Sequence, residues 1–487
     1  MYCKLLELFI LRILKLKIYL ILVLSLSFVN ILSADTSDKT QGFFVPKDEK
    51  IHLKRDSIDR APNILLFNCH YGAGHKMATQ GIVESLSECK IQVIDIYDEP
   101  LRSLDPMRGI NPKWSNEELY NKMAKKEYNR LLNFAGKVAP KTLYLQRYKV
   151  EKLLMDYIAK NKPDMIISCV PLVNPMLLKV SKKFDIPFLV VTTDIDISAF
   201  CYGFKDDEYL SDWNRFRITV PFSKETWDPG FSKNLPHSVK FSLQYCFGYP
   251  TRHAFSEIFE ESVLNQLREE YQIHQDENVV LVMMGGNTAQ AATTYAKLLL
   301  SMKEDEIERI VGQNNKKNKI RMICLCGDVT QKMNHNLMVQ LNSLNESKNK
   351  HNEHVIIHAC PGTPRIAELV SLPELCTVIS KPGGSTVNEM IKKKVPMIYH
   401  ISRVPLDWEC GNMEYGISRD LGRSFEINGN IGDKMRIDLV HVLTYVFTLH
   451  SDIQKGRRSV PEASFDFTKN LRSTVKEMLS EVSIMER

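Results

Sequence analysis

The chain has 487 residues, 44% of them apolar and 25% charged, with a formal net charge of +6. This length exceeds one ordinary domain and the apolar share is ample for packed cores, which excludes a disordered chain and points to two domains plus extensions. The positive excess is too diffuse to argue for nucleic acid but is compatible with an anionic membrane surface.

Residues 1–34 open with Lys4, Arg12, Lys15 and Lys17 among apolar side chains and continue uncharged from 18 to 34. The segment suits a membrane anchor or interfacial helix, or a signal peptide cleaved after Leu32-Ser33-Ala34. Residues 35–60 are polar, without period, and read as a linker. Residues 63–69 are a buried strand, followed by the turn His70-Tyr71-Gly72-Ala73-Gly74-His75 and a helix carrying Met77, Ile82, Val83 and Leu86 on one face. A second strand spans 91–97. The stretch 99–149 reads as long and helical, with Trp114, Tyr120, Tyr128, Phe134, Tyr144 and Tyr148 among many lysines. That mixture suits a helix at a lipid interface, and equally core aromatics beneath a solvated lysine face. Strands at 164–169 and 187–193 follow, and Asp194 stands at a strand's carboxyl end, where doubly wound sheets place ligand-binding residues. Asp194-Ile195-Asp196 also has the form of a metal-binding Asp-x-Asp triplet.

The second half restarts the alternation. Proline and glycine in 246–255 (CFGYPTRHAF) suit a domain boundary, and Arg252 there can fork onto a diphosphate. A strand at 279–284 runs into Gly285-Gly286-Asn287-Thr288, another glycine turn before a helix. Eleven cysteines, an odd number, lie scattered and often in apolar strands such as 320–326, the pattern of buried free thiols in a reducing compartment. His351, His354, His358 and Cys360 invite a zinc reading, but a strand through 354–360 would put only His354 and His358 on one face. Residues 376–380 form a strand broken by Lys381-Pro382-Gly383-Gly384. Ser385 or Thr386 can cap the next helix, whose face is Val387, Met390 and Ile391, and Lys392 to Lys394 complement its C-terminus. A strand at 395–399 completes a βαβ unit. A glycine pair at a helix N-terminus gathers backbone N–H groups onto an anion, phosphate above all, and Glu389 one turn on can hold a ribose. Residues 437–449 and 467–485 read as helices.

Ser380-Lys381-Pro382-Gly383-Gly384-Ser385-Thr386-Val387-Asn388-Glu389, followed by Glu409-Cys410-Gly411-Asn412, resembles the donor-site signature of the monogalactosyldiacylglycerol synthase and processive diacylglycerol glucosyltransferase family. These are GT-B glycosyltransferases, related to the enzyme that forms lipid II. The resemblance covers about residues 61–450. It implies two doubly wound Rossmann-like α/β domains across a cleft: 61–247 for the acceptor and membrane, 248–450 for the UDP-sugar, with 451–487 a C-terminal helical segment crossing back. By position it implies UDP-sugar contacts from Arg252, Gly285, Gly286, Asn287, Gly383, Gly384, Ser385, Thr386, Glu389, Glu409 and Asn412. His75 ends a glycine-rich loop placed at the acceptor and is the first candidate base, with Asp194 orienting it or serving as base itself. Tyr71 and Ala73 replace glycines common in the family, and the His-Pro-x-Trp element after the Thr-Asp pair is missing. The implied reaction moves galactose or glucose from a UDP-sugar to diacylglycerol with inversion, without an obligatory metal or other cofactor, at a membrane. Transfer of N-acetylglucosamine to another lipid acceptor and a membrane-anchored nucleotide-sugar-binding protein without turnover are the alternatives.

Overall fold

The computed structural model describes residues 60–204, 213, 215–226, 235–284, 289–312, 319–348, 353–401, 404–427 and 431–485. The hydrophobic segment 1–34, the linker up to residue 59 and Gly285, Gly286 and Asn287 lie outside the described residues.

Among the described residues, twelve strands form two parallel six-stranded sheets. The first contains β1 (Asn63–Asn68), β2 (Lys90–Asp95), β3 (Met165–Ser168), β4 (Phe188–Val190), β5 (Phe216–Thr219) and β6 (Leu243–Gln244), in the order β2-β1-β3-β4-β5-β6. The second contains β7 (Glu277–Met283), β8 (Lys319–Leu325), β9 (Val355–Cys360), β10 (Leu375–Ser380), β11 (Met397–Ile401) and β12 (Gly422–Glu426), in the order β12-β11-β10-β7-β8-β9. Helices cover both, so strands such as β10 are buried at every position and read as continuous apolar runs. Strand order reverses between β1 and β3 in one sheet and between β7 and β10 in the other, and such switch points open crevices at the strands' carboxyl ends. The turns after β1 and β10 are the two described glycine turns.

The first half carries α1 (Ala73–Ser85), α2 (Pro106–Ile110), α3 (Asn116–Lys125), α4 (Asn129–Leu145), α5 (Arg147–Asn161), α6 (Asn174–Lys183), α7 (Ser198–Cys201) and α8 (His237–Phe241). The expected long helical stretch at 99–149 is thus several helices. Asp105 caps α2 by accepting from Met107 N, with Pro106 behind it, and Ser115 caps α3 by accepting from Glu118 N, so two local caps cut the stretch. The second half carries α9 (Glu261–Glu270), α10 (Ala289–Leu300), α11 (Glu304–Val311), α12 (Lys332–Lys348), α13 (Ile366–Leu369), α14 (Gly384–Lys393), α15 (Asp407–Ser418) and α16 (Asp433–Gln454).

The last helix, α17 (Phe467–Met485), returns to the first sheet, where Leu471, Val475 and Met478 pack with Ile64, Leu66 and Ile82. Gly248 makes the crossing possible: its φ is +80°, and a Cβ there would stand 2.9 Å from the Phe467 nitrogen. Among the described residues, no helix is long and apolar enough to cross a membrane.

Candidate active site

The two glycine turns face each other across the seam between the halves. Helix α14 starts at Gly384 with Gly383 as N-cap and no side-chain cap, which corrects the expectation that Ser385 or Thr386 would serve. The Ser385 hydroxyl instead donates to the Gly74 carbonyl at 2.9 Å, joining one glycine turn to the other. Thr386 is half-buried on the next position. Val387, Met390 and Ile391 are buried, as their spacing requires, and no acidic side chain occupies the helix's first turn. The helix therefore supplies no carboxylate of its own to the positive end of its dipole. A Cβ on Gly384 would overlap the Thr193 carbonyl oxygen and lie 2.8 Å from Asp194 Oδ1, so only glycine lets the helix end approach this closely.

Asp194 is held there by Asn412. The Asn412 amide donates to Asp194 Oδ1 and to the Pro382 carbonyl, both at 3.1 Å, while its oxygen accepts from Ile195 N at 3.0 Å. Asn412 is fully buried and acts as a strut between the halves. Burial pushes the Asp194 carboxyl up to about 6, against the Asn412 hydrogen bond. Asp196 is exposed and accepts from Ser198 N, so the Asp-x-Asp pair does not converge.

His75 sits at the start of α1. Its Nδ1 donates to the Cys169 carbonyl at 3.0 Å and lies 3.2 Å from Thr193 Oγ1. A carbonyl only accepts, so Nδ1 carries the proton and Nε2 is left as the basic nitrogen. Burial lowers the His75 pKa to about 4, leaving the ring neutral at physiological pH. Tyr249, inside the 246–255 stretch, donates to the Thr193 carbonyl at 2.5 Å and lies 3.4 Å from Ser385 Oγ.

Glu389 is buried and paired with Arg252, Nε to Oε1 at 2.8 Å. Burial raises the Glu389 pKa while Arg252 opposes the shift. The two residues expected to take ribose and diphosphate therefore hold each other in this state. Glu409 lines a pocket with Lys381, Pro382, His400 and Asn129. Burial pushes its carboxyl up to about 7, with Lys381 pulling down and Asp194 pushing up. The described candidates, His75, Asp194, Arg252, Gly383, Gly384, Ser385, Thr386, Glu389, Glu409 and Asn412, thus gather along one seam. Reading the sequence missed Tyr249 and Lys381 as members. Tyr249 lies between Gly248 and Pro250 and Lys381 precedes Pro382, and that adjacency was the available signal.

A second contact between the halves lies beside the seam. Asn129 and Asn133 on α4 donate to the carbonyls of Val404 and Pro405, at 2.6 and 2.9 Å. Tyr120 turns inward to Trp408, whereas Trp114, Tyr128, Phe134 and Tyr148 stay exposed. The aromatic-basic stretch therefore divides between the two readings offered for it.

Two parallel doubly wound halves meeting at their switch points define the GT-B α/β fold. Arabidopsis thaliana UGT89C1, solved in complex with quercetin, has it too: the match has a TM-score of 0.50 at 14% identity over 86% of this chain and 100% of that one. In sequence the chain is similar to the processive diacylglycerol beta-glucosyltransferase of Staphylococcus epidermidis, 23% identical over 370 residues, 75% of this chain and 82% of the relative. The enzyme of the same name from Staphylococcus saprophyticus is 22% identical over 349 residues, 70% and 76% of the two chains. No protein-family model matches the chain.

Proposed function

We propose that this chain is a glycosyltransferase that moves a hexose, glucose or galactose, from a UDP-sugar to the hydroxyl of diacylglycerol with inversion at the sugar carbon. The observation that carries the reading is the meeting, on one seam, of a glycine-started helix end from the second half with His75, Thr193 and Asp194 from the first. The similarity to the staphylococcal diacylglycerol glucosyltransferases supports it. Residues 248–450 serve the donor and 61–247 the acceptor.

In this reading the lipid hydroxyl attacks the sugar C1 as the bond to UDP breaks. The hydroxyl proton passes to His75 Nε2, while Asp194 orients the hydroxyl and stabilises the imidazolium that forms. Diphosphate charge is met by the N-terminus of α14 and by Arg252, with Glu389 on the ribose and Glu409 on the sugar, so no metal is obligatory. Ser385, Arg252 and Glu389 now bond protein partners, so donor entry must exchange those contacts and open the seam. Exposed Trp114, Phe134 and Tyr148 among lysines supply the face that meets the lipid surface, together with the N-terminal hydrophobic segment.

Purified protein given radiolabelled UDP-glucose, UDP-galactose or UDP-N-acetylglucosamine and diacylglycerol vesicles, with EDTA present, should form a hexosyl lipid. Strict loss of UDP binding in EDTA, or transfer from UDP-N-acetylglucosamine alone, contradicts the proposal. Tyr71 and Ala73 in place of loop glycines and the missing His-Pro-x-Trp element favour a second reading, a nucleotide-sugar-binding protein without turnover. UDP binding by calorimetry with no transfer from any donor would establish that one instead.

A further inference from the structure

We propose that His70, Asp95, Asp98 and Glu117 bind one divalent transition-metal ion of the zinc or manganese class, fastening the loop that leads to His75 onto β2 and α3. The four residues come from three pieces of chain. His70 follows β1, Asp95 ends β2, Asp98 lies in the next turn and Glu117 is in the first turn of α3. One ligand atom from each lies within 4.8 Å of every other.

An independent observation points to a ligand. Asp95 Oδ1 accepts from the nitrogens of Tyr97 and Asp98, but Oδ2, on a side chain only 8% exposed, accepts no hydrogen bond. His70 Nδ1 stands 2.6 Å from that oxygen yet out of line for a hydrogen bond. Tetrahedral bonds of about 2.0–2.1 Å set ligand atoms about 3.3 Å apart, so the pair would separate by less than about 1 Å to share an ion.

Charge argues the same way. Four carboxylates, Asp95, Asp98, Asp105 and Glu117, share one guanidinium, that of Arg108, beside the His70 ring. A dication would balance that excess of carboxylates. One imidazole nitrogen with carboxylate oxygens suits zinc or manganese, whereas calcium and magnesium prefer all-oxygen sets. The loop is already clipped to α3, since Asn121 donates to the His70 carbonyl and accepts from Gly72 N. The ion would complete that clip. It lies on the acceptor side and takes no part in holding the diphosphate, so the proposal stands whether or not the transfer reaction does.

The full-length protein, stripped with EDTA and titrated by calorimetry with ZnCl2 and MnCl2, should bind one equivalent of at least one of them, with proton release. His70→Gln and Asp98→Asn alter side chains that are 55% and 40% exposed, so both variants should fold. Each should weaken the affinity by at least about 10-fold, while His335→Gln on the exposed face of α12 should not change it. As a second readout, the same ion should raise the melting temperature of the wild type and not that of His70→Gln. Absence of stoichiometric binding, affinity unchanged in either ligand variant, or a wild-type melting temperature indifferent to both ions overturns the proposal.

Discussion

Burial separates the two candidate bases of the seam in opposite directions, His75 down to about 4 and Asp194 up to about 6. If transfer needs the Asp194 carboxylate ionised, kcat/KM should fall as pH drops through about 6. Asp194→Asn should remove that limb and His75→Gln should retain it at lower rate; a pH profile flat down to 5 in the wild type would exclude this role for Asp194. His400, buried beside Lys381, is likewise lowered to about 4 by burial. Its folded pKa lies below the unfolded value, so the stability it contributes is present above about pH 6.5 and lost as pH falls toward 4, at most about 3 kcal/mol in all. His400→Gln should therefore flatten the pH dependence of the melting temperature in that window. Wild type and variant losing stability in parallel would mean that His400 titrates normally.

The element that organises the site is α14, and its contacts explain what the sequence could and could not convey. Gly384→Ala would set a Cβ against the backbone oxygen of Thr193, which cannot rotate away, so the seam should open. Small-angle scattering should report a larger radius of gyration, and kcat/KM should drop; an unchanged radius with full activity would show that the close approach is dispensable. The strand-glycine-helix units around β1 and β10 were legible because strands buried on both faces are continuous apolar runs and their turns need glycine. The cap of α14 was misread because Ser385 spends its hydroxyl on Gly74, 311 residues away in sequence. Likewise Arg252 and Glu389 each look free for a ligand in their own segments, and nothing local reveals that the fold pairs them across 137 residues. The His70, Asp95, Asp98 and Glu117 cluster carried no recognisable spacing, since the ends of β1 and β2 and the first turn of α3 create it.

At the scale of the molecule, three features hold the halves together: the seam, the contact of α3 and α4 with the segment around Trp408, and the crossing of α17 back to the first sheet. The central claim of this account is that the two halves divide the labour, donor binding on the second and acceptor chemistry on the first. Paired kinetics and UDP titrations on Glu389→Gln and His75→Ala test it most directly. Glu389 would touch the ribose alike in ground and transition states, so Glu389→Gln should mainly raise the donor KM and weaken UDP binding. His75→Ala should lower kcat by on the order of 10²- to 10⁴-fold with UDP affinity nearly intact. A His75→Ala protein that keeps its kcat, or that loses UDP binding as Glu389→Gln does, would contradict the division.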